Sequence, residues 1–385
     1  MRKVLILSGF PPEGGGGGGV IIRSLLNEIS EEKIFWYSLV KDKTIKKWWR
    51  PNILRSFPFI SIPGLSYKPI FYINKYAFSY IFLIFSILKI RKVKKQWEPN
   101  FIWIIVDKEL IYEMYILVLA LKLPWHISVH DDPGISKLLS GKKISTKDQM
   151  YFKYLMQNAK SIDCISNNMS NYYKNMYNVD SIVLTRGVSP EKTVSKSKRK
   201  LFENNQINIV MGGWGDCPLP WPKCVIEALV ILEKKTQMKV QFFAFDPIFK
   251  EVNNSSIIYC PRMQNDEYEI FLDKMDIGYA PDPLIDKFAL FAKTSMSTKI
   301  VTYISACIPS LYHGPKDSSI NEIFSRYQAG EIMDSNNPIE IANAFYKLIE
   351  NSSTYRENCI QLACNDFNEN LLQLRLSELV FGEVN

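Results

Sequence analysis

The chain has 385 residues, 47% of them apolar and 22% charged, with a mean hydropathy of −0.08. This is the balance of a globular protein, and the length is too great for one core and suits two domains of ordinary size. Seven cysteines without a CxxC pair, and three histidines outside any cluster of metal-ligand spacing, read as buried thiols in a reducing cytosol and no bound metal.

The chain begins MRKVLILSGFPPEGG, a basic start followed by an apolar run shorter than a signal peptide's core, so export is not expected. Residues 4–26, VLILSGFPPEGGGGGGVIIRSLL, place an apolar strand before six glycines and an apolar helix-length segment after them. Glycine lets a ligand approach the backbone, and a helix start offers unpaired N–H groups, so this order makes a phosphate cradle. A Walker loop is not expected, because Val20, Ile21 and Ile22 stand where its Lys and Ser/Thr belong. Gly14, Gly16 and Gly19 formally meet a dinucleotide fingerprint, with Asp42 where a ribose carboxylate would sit; a flexible turn without ligand is the plain alternative.

The net charge of +8 is concentrated: from Lys41 to Trp97 there are thirteen basic residues and one acid, Asp42, among many aromatic rings. Within this window AFSYIFLIFSIL, residues 77–88, runs directly into KIRKVKK. Twelve helical residues cover about 18 Å, short of the ~30 Å hydrocarbon core, so a spanning helix is not expected. Trp48, Trp49, Lys89, Arg91, Lys92, Lys94 and Lys95 instead suit an anionic membrane surface. A buried helix with a solvated basic end is the alternative. Nucleic acid could use the same residue types, but no recognition motif accompanies them and no nucleic-acid partner is expected.

Beyond the window, strand-like and helix-like segments alternate twice. FIWIIV (101–106), a helix over 109–123, HISVHDD (126–132) and SIDCIS (161–166) complete a first half, and the polar stretch 189–206 reads as a linker. The second half restarts with INIVMGG (207–213), a helix over 222–235, VQFFAFD (240–246), SIIYCP (256–261), a helix near 266–274, IGYAP (277–281) and PSLYH. The reading is α/β: two doubly wound, Rossmann-like domains facing a cleft, at 1–188 and 207–365, with 366–385 crossing back to the first.

FPPEGGGGGGV, ISVHDDP (127–133), CISNNMSNYYKNMY (164–177), VLTRGV (183–188) and IGYAP followed by SMSTKIVTYISACIPSLYHGPKDSS (277–319) together resemble glycosyltransferases of the GT-B type, close to the family 4-like enzymes of bacterial surface polysaccharides. The resemblance implies a metal-independent, cofactor-free hexosyl- or glycosyltransferase. Such an enzyme moves a sugar from a nucleoside diphosphate sugar to a polysaccharide or glycolipid acceptor, often lipid-linked, with retention. It further implies a cytoplasmic enzyme peripheral to the inner face of the cell membrane.

By the same resemblance Ser297, Thr298 and Lys299 would hold the diphosphate at a helix start, with Lys223 adding a second cation. Gly18 and Gly19 would close near the diphosphate, and His130 would contact sugar or acceptor as the catalytic-side histidine. His130 hydrogen-bonded to Asp131 or Asp132 is the structural alternative. Two glutamates common in the family align with Thr294 and Thr302, and a Gly-Arg pair is replaced by Gly213-Trp214. These departures leave open a catalytically degenerate carbohydrate- or membrane-docking protein. A NAD-dependent oxidoreductase is a further alternative and would rest on Asp42.

Overall fold

The computed structural model of the chain describes residues 2–11, 16–39, 53–55, 68–213 and 222–382. Asp42, Trp48, Trp49 and Cys217 lie outside the described residues. The chain divides into two compact units, Met1–Thr185 with Leu372–Asn385, and Arg186–Leu371.

In the first unit seven strands, β1 (Val4–Ser8), β2 (Ile34–Ser38), β3 (Ile53–Arg55), β4 (Phe101–Ile105), β5 (Trp125–Val129), β6 (Ser161–Cys164) and β7 (Ile182–Val183), form one parallel sheet in the order β3-β2-β1-β4-β5-β6-β7. The helices are α1 (Gly16–Leu25), α2 (Lys68–Trp97), α3 (Ile111–Leu121), α4 (Pro133–Leu139), α5 (Thr146–Gln157) and α6 (Asn167–Tyr177). Every residue of β1 and β4 is buried, which is what helices on both faces of a parallel sheet require. The starts of the later helices are written locally. Asp132 accepts from Ile135 N at 2.8 Å with Pro133 behind it, and Ser145 and Ser166 cap α5 and α6 in the same manner.

The second unit starts with α7 (Pro190–Lys196) and repeats the plan: β8 (Gln206–Met211), α8 (Pro222–Thr236), β9 (Lys239–Ala244), β10 (Ile257–Tyr259), α9 (Asn265–Leu272), β11 (Ile277–Pro281), α10 (Asp286–Thr294), α11 (Thr298–Ser305), β12 (Ser310–His313), α12 (Ser319–Tyr327), β13 (Gly330–Met333), α13 (Pro338–Glu350) and α14 (Ser352–Cys364). Its sheet is also parallel, in the order β10-β9-β8-β11-β12-β13. A core of Ile207, Ile209, Met211, Val225, Leu229, Phe242, Tyr279 and Phe345 fills the space between this sheet and its helices. In both sheets the strand order reverses beside the first strand, between β1 and β4 and between β8 and β11. Open parallel sheets bind ligands at the carboxyl ends of strands flanking such a reversal.

The polar stretch read as a linker carries α7, capped by Ser189 with Pro190 in its first turn. Its carboxyl end is met by Arg356 of α14, whose guanidinium donates to the carbonyls of Lys196 at 3.0 Å, Arg199 at 2.9 Å and Ser197. The last helix, α15 (Glu369–Leu376), continues into a π-turn at Ser377–Phe381. Here Gln373 donates to the Ser24 carbonyl at 2.8 Å and Arg2 to that of Leu379 at 2.7 Å, while the Arg2 guanidinium stacks 4.4 Å from the Phe101 ring. Cys164, Cys260, Cys307 and Cys359 are buried thiols, Cys224 is half-buried and Cys364 is exposed.

Candidate functional site

In the first unit the chemistry gathers where β1, β4 and β5 end. Gly9 follows β1, and a Cβ there would collide with the Asp107 carboxylate that follows β4. Gly16 to Gly19 are the opening turn of α1 rather than a free loop; residues 12–15, before them, lie outside the described residues. Glycine is about 1 kcal/mol per residue worse than alanine inside a helix, so four in one turn need a local reason. One is visible at Gly18, where an added Cβ would stand 3.2 Å from Nδ1 of His130. Gly19 beside it is buried.

His130, just beyond β5, is 7% exposed, and its Nε2 is buried without a hydrogen-bond partner among the described residues. Asp132 is occupied otherwise, capping α4 and accepting from the Tyr173 hydroxyl at 2.7 Å. Burial pushes the His130 pKa down, opposed by the charges of Asp163 and Asp131. The ring is therefore a neutral imidazole at physiological pH, able to accept a proton or share a hydrogen bond. Near it lies a buried network in which His126, fully buried, meets Oδ1 of Asp163 at 2.6 Å and Ser161 at 2.8 Å. Ser128 also donates to Asp163 and accepts from Trp103 Nε1 at 2.7 Å.

In the second unit the corresponding edge is built on Gly212, which follows β8. Its N–H donates to the Tyr303 hydroxyl at 2.9 Å, and a Cβ there would stand 3.2 Å from Cδ of Lys299. Lys299 lies in the first turn of α11, where Ser297 takes the N-cap position without a side-chain capping bond. The amides of that turn, at Thr298 and Lys299, therefore have no side-chain acceptor from Ser297. Burial lowers the Lys299 pKa, and the carboxylates of Asp282, after β11, and Asp246, after β9, act against that shift. A half-buried cation, a helix start and three strand ends thus meet at the reversal point of this sheet.

Thr302, one turn further along α11, gives its hydroxyl to the Thr298 carbonyl at 2.9 Å and accepts from Nη1 of Arg186 at 2.6 Å. Thr294 is buried, bonded to the Leu290 carbonyl at 2.8 Å. Lys223 is in the first turn of α8, 89% exposed and 4.0 Å from Glu227. The structure thus brings Ser297, Thr298 and Lys299 together, and in the other unit Gly18 and His130. Arg186, Tyr303, Asp246, Asp282 and Asp107 are additions that sequence reasoning missed. Asp107 and Asp282 carried a usable signal, a carboxylate directly after an apolar strand beside the reversal point. Among the described residues no group of three or more His, Cys, Asp and Glu could hold a metal ion.

At the end of β12, His313 is 2% exposed, and its Nδ1 is hydrogen-bonded with the Tyr279 hydroxyl at 2.6 Å. Burial pushes its pKa down to about 4. Because the unfolded chain binds this proton more tightly, stability rises with pH from about 4 to about 6.5 and is lost on acidification through that window. His313→Gln is expected to make the drop in unfolding free energy between pH 7 and pH 4.5 smaller by about 2.5 kcal/mol, measured by urea titration at both pH values. An unchanged drop would show that His313 is not the titrating group.

No family model and no curated protein matches the chain in sequence. Its solved structural neighbours are close over the whole length. The sucrose-phosphate synthase of Thermosynechococcus elongatus has a TM-score of 0.67 at 13% identity, covering 98% of both chains. A glycosyltransferase of Rickettsia africae gives 0.66 at 12% over 98% of both. Anabaena Alr3699/HepE, solved in complex with UDP and glucose, gives 0.65 at 14% over 100% of both. The doubly wound order found in each unit and these full-length matches together give the chain the two-domain GT-B fold.

Proposed function

We propose that the chain is a glycosyltransferase that takes a sugar from a nucleoside diphosphate sugar and passes it to a saccharide acceptor, a growing polysaccharide or glycolipid carried on lipid. The observation that carries this reading is the half-buried Lys299 at the open start of α11, beside Gly212 at the strand reversal. Such a place suits a diphosphate: backbone amides and a desolvated cation serve an anion, and Gly212 keeps the approach clear. Breaking the bond between sugar and diphosphate builds negative charge on the leaving group. Donors fixed there in advance stabilise the transition state more than the ground state.

On the other unit, neutral His130 with its free Nε2 suits a sugar hydroxyl. Gly18 and Gly19 let the opening turn of α1 come close to it. The reading includes a metal-independent reaction with retention of anomeric configuration, and no dedicated cofactor. Support also comes from the neighbours, since Alr3699/HepE has been solved with UDP-glucose and WaaG is described as a glycosyltransferase of lipopolysaccharide biosynthesis. Neither the degenerate docking protein nor the oxidoreductase finds a counterpart among these structures.

The test is a thermal-shift screen against UDP, GDP, ADP, CMP and NAD. A ligand at about 100 times its Kd stabilises the folded state by roughly 2.7 kcal/mol. One nucleoside diphosphate is expected to raise Tm, with UDP first in line, and a shift with NAD alone would sink the proposal.

A further inference from the structure

The sheet of the second unit ends at β13, and a cavity of about 480 Å³ opens over the first residues of that strand. Its walls are Gly330, Glu331 and Ile332, the last turn of α12, the end of α13 and the first turns of α14. The volume lies within the ~300–1,000 Å³ of small-molecule sites. This is a different place from the Lys299 edge. All carboxyl ends of a parallel sheet point one way, whereas the cavity takes the amino end of β13, and β8, which leads into Gly212, lies three strands off, about 14 Å across the sheet.

The lining is polar but neutral in sum, Glu331 and Lys347 being its charged members. Oε1 of Glu331 takes both Lys347 Nζ at 2.8 Å and the Tyr355 hydroxyl, which fixes the carboxylate in place. Burial raises the Tyr355 pKa and the bond to Glu331 acts in the same direction, so the phenol keeps its proton and goes on donating. Oε2 of Glu331 receives no bond among the described residues. Asn351 gives its Nδ2 to the Lys347 carbonyl and Asn358 its own to the Gln328 carbonyl, each at 3.0 Å, which holds both side chains with Oδ1 left as acceptor. Phe324, buried, and Ile332, half-buried, supply an apolar wall.

These groups select the occupant. An anion would meet Glu331, and a cation would meet Lys347 with the Glu331 charge already matched. An apolar ligand would take water from a carboxylate and two amides and return no hydrogen bond. A neutral saccharide does none of this, since its hydroxyls donate to Oε2 and the amide oxygens while its C–H faces rest on Phe324 and Ile332.

We propose that this cavity binds a neutral saccharide of about one or two rings, away from the reacting diphosphate, as a second hold on the chain being extended. The site needs the second unit alone; its part in synthesis rests on the transferase reading.

The test is isothermal titration of the full chain with three neutral trisaccharides, maltotriose, cellotriose and chitotriose. At least one is expected to bind, with the same affinity in Lys299→Ala. Thr354→Tyr, at an exposed position of α14, fills the cavity and is expected to abolish that binding. Glu331→Gln keeps the shape and should weaken it about tenfold, because hydrogen bonds to a charged acceptor are roughly twice as strong as neutral ones. Circular dichroism melting checks that both variants fold. Absence of binding by all three sugars overturns the proposal, and so does binding that Thr354→Tyr leaves unchanged. A dimer that Thr354→Tyr breaks, in a chain that ignores all three sugars, would give the cavity to a second copy instead. A UDP-induced thermal shift in a chain that binds no trisaccharide sinks this site and spares the donor reading. Sugar binding lost in Thr354→Tyr, with no shift from any nucleotide, does the reverse.

Discussion

Lys299→Ala is expected to lower the rate of sugar transfer by about 10²–10³-fold in kcat, the range found when one donor to a developing anion is removed. The loss should fall on kcat more than on donor affinity, because the diphosphate carries more charge as the glycosidic bond breaks. Lys299→Arg is not expected to restore the rate. The aliphatic part of Lys299 already lies where a Cβ on Gly212 would be 3.2 Å away, so the larger planar guanidinium would have to displace backbone. Folding should be little harmed, since burial opposes the Lys299 charge and alanine removes that penalty. Single-turnover rates, UDP titration and a melting curve on the same variant distinguish these effects. An unchanged kcat would move the leaving group away from α11.

Asp163→Ala should give the largest loss of stability in the first unit. The carboxylate holds His126 at 2.6 Å and also accepts from Ser128, in a place where His126 is fully buried and Asp163 is 1% exposed. Removing it strands an imidazole and a hydroxyl away from water, at about 3–5 kcal/mol for a broken buried pair. Asp163→Asn, which keeps an acceptor, should lose less. The same change removes a negative charge that pulls the His130 pKa up, so His130 should protonate at still lower pH. Urea unfolding gives the first quantity and the chemical shifts of His130 against pH the second. A stability loss below about 1 kcal/mol would mean that the network re-forms around another acceptor.

The alternation of strands and helices was legible because parallel strands buried on both faces are nearly continuous apolar runs, as FIWII and IGYAP are. The edge strands β3, β7 and β13 escaped, being two to four residues long and without a run to detect. Residues 189–206 read as linker on polarity alone, yet Ser189-Pro190 is a helix-start signature that could have been weighed. At the start of α11, Ser297, Thr298 and Lys299 came from motif order. Arg186 on Thr302 and Tyr303 under Gly212 did not, because residues 116 and 91 positions apart are brought together only by the sheet. In α2, composition revealed a basic aromatic helix but could not say which lysines face outward, and that is decided by packing on α3.

The first unit is assembled from both ends of the chain, Arg2 clasping the carbonyls of Leu379 and Val380 while the second unit is spelled out in between. During synthesis the second unit is therefore complete once residue 371 has left the ribosome, while the first still lacks the segment that Gln373 pins to Ser24. Domains tend to fold as units in the order they emerge. Here that order is inverted: the part begun first is finished last, and trimming residues 372–382 would leave the second unit folded and the first unsealed.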